Sequence, residues 1–90
     1  MSEAVDRQML RDLILIALHV ARPTGFSADV LRRRLNAEGI PIEEKELSQE
    51  LDYLLGKELC EKKASALSKA NVRWHLTSAG VDYLEEEGLA

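Results

Sequence analysis

The apolar residues of this chain change their spacing after Gly56, and that change limits the fold more than any other feature. Up to Gly56 they recur at three- and four-residue steps. Beyond it, Val72, Trp74 and Leu76 alternate with Arg73 and His75. A step of three to four is the mark of helices that bury one face, and strict alternation is the mark of a half-buried strand. The pattern predicts an α+β chain, mainly α, with its helices first and a hairpin after them.

The first helix is expected over about residues 5–22. Met9, Leu10, Leu13, Ile14, Ala17, Leu18 and Ala21 form its inward face, and Ile16 and Val20 widen it, so the helix is buried on more than one side or touches a second subunit. Pro23 and Gly25 end it. Ser27 offers an N-cap to a second helix over about 27–38, with Phe26, Val30, Leu31 and Leu35 inward. Gly39 and Pro41 stop that helix. Leu47, Leu51, Leu54 and Leu55 make one stripe of a third helix over about 43–56, which Gly56 ends. Two short helices joined by a tight glycine-containing turn are a helix-turn-helix.

The hairpin is expected over about 58–76, with the polar loop "SALSKAN" between its strands and Trp74 in the core. Thr77 can cap a last helix over about 77–88 that packs Val81, Tyr83 and Leu84 inward. Its acidic end, Glu85 to Glu87, opposes the helix dipole and is expected to fray. No linker or repeat divides the 90 residues, so one domain is expected over 1–90.

Composition excludes several function classes. A single cysteine rules out an internal disulfide framework, and Cys60 with His75 across the hairpin supplies two metal ligands where about four are needed. No metal and no cofactor are expected. There is no glycine-rich phosphate loop, nucleophile motif or paired acid and histidine, and His19 falls in the most apolar part of the first helix. The chain is not expected to be an enzyme. The apolar run at residues 13–21 is about half of a membrane span, and the N-terminus has no signal pattern. A soluble, cytoplasmic protein without membrane contact is expected.

The order of elements, with "RWHLTSAG" closing the hairpin, resembles the winged helix-turn-helix domain: a three-helix core, a two-stranded β-hairpin wing and a C-terminal helix. Regulators of the ArsR, MarR and PadR kinds carry Leu-Thr-x-x-Gly here, and this chain has Leu76-Thr77-Ser78-Ala79-Gly80. The stretch "ELSQELDYLLGKELCEKK" is similar to their third helix running into the first wing strand. The resemblance covers about residues 7 to 88. The small size also resembles winged-helix proteins of Mu-like phages and prophages, while the metal sites of ArsR sensors have no counterpart.

The resemblance implies a DNA-binding transcriptional regulator of bacterial or phage origin, acting on double-stranded DNA as a homodimer through its first and last helices. Its third helix would enter the major groove, where Lys45 and Gln49 suit base edges and Ser48 a phosphate. Arg32 and Arg33 on the second helix, and Lys62, Lys63, Lys69 and Arg73 on the wing, suit the backbone. Lys57 adds to the wing charge, and Arg34 can join Arg32 and Arg33, lie along the core edge or pair with Glu38. Charge divides the chain. Residues 43–56 carry five acids and one base, whereas residues 57–76 carry five bases and two acids. Glu43, Glu44 and Glu46 stabilise a helix start, yet they present DNA with repulsive charge. A second reading therefore stands beside the first: a protein-interaction module whose acidic third helix docks a basic protein partner.

Overall fold

The computed structural model describes residues 6–64 and 72–90. Its elements run α1 (Arg7–Val20), α2 (Ala28–Ala37), α3 (Glu44–Gly56), β1 (Cys60–Ala64), β2 (Val72–Leu76) and α4 (Ser78–Glu86). Among the described residues, side-chain caps begin α1, α2 and α4. Asp6 accepts from the Met9 amide at 2.7 Å, Ser27 Oγ from the Val30 amide at 3.3 Å, and Thr77 Oγ1 from the Gly80 amide at 3.0 Å. Each satisfies one amide that the first helical turn cannot bond internally. Glu43 precedes α3 without such a bond.

One core joins all elements. Leu10, Ile14, Leu15 and Leu18 of α1 meet Leu31 and Leu35 of α2, Leu47, Leu51 and Leu54 of α3, Trp74 and Leu76 of β2, and Leu84 of α4. The helical spacing alone places Met9 and Val30 inward, but they are 50% and 43% exposed. Leu15, outside the expected stripe, is buried in their stead, in the same core cluster as Leu54 of α3 and Leu84 of α4.

The strands pair antiparallel, with Cys60 opposite Leu76, Lys62 opposite Trp74 and Lys63 opposite Arg73. Residues directly opposite share a face. Cys60 therefore does not meet His75, whose partner is Glu61. The thiol turns inward, 1% exposed, and donates to the Leu51 carbonyl at 3.9 Å. The wing is anchored a second time by Phe26, which exchanges two backbone bonds with Trp74 at 2.7 and 3.1 Å. Gly25 makes that approach possible. Its φ is +76°, and a Cβ there would lie 2.6 Å from the Trp74 carbonyl oxygen.

The Leu-Thr-x-x-Gly stretch has a physical account in this geometry. Leu76 is in the core, Thr77 caps α4 while its Oγ1 also donates to the Glu58 carbonyl at 2.7 Å, and a Cβ on Gly80 would fall on the Leu59 carbonyl oxygen. The end of α4 differs from the frayed expectation. Gly88 donates to the Glu85 carbonyl and Leu89 to that of Leu84, a Schellman closure that satisfies carbonyls left over by the helix. The α3 terminus closes in the same way through Glu58 and Leu59. There the positive φ of +64° belongs to Glu58, while Gly56 is still helical.

Candidate nucleic-acid interface

Packing of the α3 leucines against α2 and β1 decides which side chains of that helix reach solvent. Lys45, Ser48 and Gln49 are exposed, as are Glu43, Glu44, Glu46 and Asp52. Lys45, Gln49, Tyr53 and Lys57 follow one another at four-residue steps, so they form a single ridge. Side-chain contacts gather at its far end. The Arg11 guanidinium lies 3.6 Å from the centre of the Tyr53 ring and the Lys57 ammonium 5.6 Å from it, within reach of cation–π attraction.

The arginines of α2 are engaged within the helix. Arg32 and Arg33 both bind Asp29, at 3.2 and 2.7 Å, and Arg34 reaches Glu38 at 3.5 Å. The side chains of these pairs are 34–73% exposed, so phosphate can replace the carboxylate at little cost.

On the wing, the candidate residues do not share one surface. Lys62 lies on the face of Trp74, its ammonium 5.6 Å from the ring centre. Lys63 and Arg73 lie on the other face, with Lys63 3.9 Å from Glu61. Arg73 is half-buried and donates to the Gly25 carbonyl at 3.2 Å, which also ties the wing to the α1–α2 connection. Lys69 lies outside the described residues.

A second cluster is absent from the sequence reading. Glu50 is 1% exposed on the inner side of α3, and its two oxygens accept from Arg7 at 2.5 Å and Arg11 at 2.7 Å. The available signal was a carboxylate at the edge of the leucine stripe and a basic i, i+4 pair at the start of α1. Nearby, Tyr83 Oη donates to Asp12 at 2.7 Å, and this bond pushes the phenol up to about 12, with burial and the Asp12 and Glu87 charges adding to it. A cleft of about 140 Å³ opens between α1, α3 and α4, bounded by Arg11, Leu15, Tyr53, Lys57 and Tyr83.

No family model and no curated protein matches the sequence. Solved structures do. The chain is similar to a point mutant of ZitR from Lactococcus lactis, with a TM-score of 0.73 and 17% identity over 98% of this chain and 53% of that one. It is also similar to a PadR family transcription regulator from Clostridium difficile, with a TM-score of 0.69 and 17% identity over 87% of this chain and 82% of that one. The chain spans about half the length of the ZitR chain. The four helices and two-stranded antiparallel hairpin of the described residues, superposing on these proteins, make the fold a winged helix-turn-helix.

Proposed function

We propose that this chain is a winged-helix DNA-binding protein acting in transcription regulation. One observation carries the reading: α3, the helix that this fold commits to the major groove, leaves Lys45, Ser48 and Gln49 exposed. Lys45 and Gln49 would meet base edges and Ser48 a phosphate. Lys62 and Lys63, with Lys69 and Arg73, would neutralise backbone charge, and Arg32 and Arg33 would exchange Asp29 for phosphate. The likeness to a protein named as a PadR family transcription regulator supports the assignment. Its finer form, a regulator of bacterial type, rests on the resemblance at Leu76 to Gly80.

The homodimer belongs to the same proposal. Met9, Leu13, Ile16 and Val20 form a second apolar stripe on α1, with Met9 and Val20 exposed and Leu13 and Ile16 half-buried. Leu89, just beyond α4, is 38% exposed. A second copy covering this surface would present two α3 helices to paired half-sites. The acidic side of α3 favours the other reading, a protein-interaction module with a basic partner, through exposed Glu43, Glu44, Glu46 and Asp52.

Duplex binding across a salt series separates the two. The DNA reading expects affinity to fall steeply with salt, and Lys62→Gln with Lys63→Gln to reduce the logarithmic slope by about 2. Absence of duplex binding at low salt would reject it and leave the protein-docking reading.

A further inference from the structure

Glu50 is the only buried charged residue among the described residues, and its position on α3 is not explained by stability. A leucine there would extend the stripe of Leu47, Leu51 and Leu54 without removing a carboxylate from water, a cost that paired charges often fail to recover. What the carboxylate adds is direction. Its oxygens bind two different arginines of α1, at 2.5 and 2.7 Å, and charge-assisted bonds of this kind tolerate little change of angle. Arg11 then covers Tyr53, one turn further along α3. The cleft between α1, α3 and α4 lies beside this grip, so the second half of α3 lacks continuous apolar packing on that side.

We propose that Glu50 is the positioning residue of α3: its two arginine bonds set the rotation of that helix, and so where Lys45, Ser48 and Gln49 point. Without the carboxylate, α3 is free to turn toward the cleft while its leucines stay in the core. The effect on DNA rests on the function proposed above. The effect on α3 itself does not.

Amide hydrogen exchange tests the second point directly. Glu50→Gln should accelerate exchange in residues 44–56 by about tenfold more than in α2 and α4. Arg7→Gln, whose side chain is 68% exposed and outside the core, should act in the same direction more weakly and serves if the first variant does not fold. Equal acceleration in all helices, or none in α3, would overturn the proposal, because a merely structural pair loosens the whole domain.

Duplex binding by the variant in which Glu50→Leu and Arg11→Leu replace the pair with apolar side chains tests the first point. Affinity about tenfold weaker at an unchanged salt slope is expected, since the phosphate contacts remain. Wild-type affinity in this variant would also overturn the proposal. If the wild-type protein binds no duplex, the functional reading fails and the exchange pattern alone decides the role of Glu50.

Discussion

Glu50 Oε1 lies 2.7 Å from Arg11 Nε across the α1–α3 boundary, with the carboxylate side chain 2% exposed and the guanidinium side chain 19% exposed. Arg7 reaches the other oxygen from a side chain that is 68% exposed. Three charges thus meet where only one is fully withdrawn from water. Glu50→Ala is expected to cost about 3 kcal/mol, since it leaves Arg11 beside the core without its counter-charge. Arg7→Ala should cost less, because its side chain is largely in water and Arg11 still pairs the carboxylate. Urea unfolding of the two variants checks the contrast, and equal losses would contradict it.

Two glycines should respond with opposite signs. Gly80→Ala would drive a methyl group onto the Leu59 carbonyl oxygen, a backbone atom held by the bond from the Thr77 amide, and should destabilise by about 1–3 kcal/mol. Gly56→Ala meets nothing within 4 Å and sits in the last turn of α3, so it should stabilise by up to about 1 kcal/mol. Thermal melts of both variants test the pair.

Stability should fall on the alkaline side. Burial, with the nearby charges of Asp52 and Glu61, pushes the Cys60 thiol from 9.0 up to about 12. The Tyr83 phenol, donating to Asp12, rises from 10.0 to about 12. Both groups hold their protons more tightly when folded, so their contribution is complete below pH 9. It is lost as pH rises from there toward 12. Denaturant midpoints between pH 8 and pH 11 should decline, and Cys60→Ser should flatten the first part of the decline. At neutral pH the native thiol should resist alkylation until the protein unfolds.

The acids at the start of α3 give a prediction about affinity. Glu43, Glu44 and Glu46 are exposed, and only their charge, not their shape, opposes a phosphate backbone. Replacing all three by Gln should strengthen duplex binding at low salt, measured by fluorescence anisotropy. Weaker binding in the triple variant would mean that these acids contact bases or a partner themselves.

Much of the fold was legible because its signals are local. Alternation at Val72, Trp74 and Leu76, the leucine steps of α3, and Ser27 and Thr77 as caps each depend on residues within a few positions of one another. The same locality misplaced Met9 and Val30, because a helical stripe has edges and its own sequence does not say which edge is covered. Among the candidate site residues, the exposure of Lys45, Ser48 and Gln49 followed from the leucine stripe. The division of Lys62 from Lys63 and Arg73 required the strand register.

The sequence by itself determined the kinds of element, their order and the face that α3 turns to solvent, since these follow from backbone geometry and nearest-neighbour spacing. Only the tertiary structure decided that Leu15 is buried, that Glu58 and not Gly56 takes the left-handed turn, and that Glu50 lies in the core. The reason is distance along the chain. Arg7 and Glu50 are 43 residues apart, and a carboxylate becomes a core residue only when folding brings its counter-charges to it.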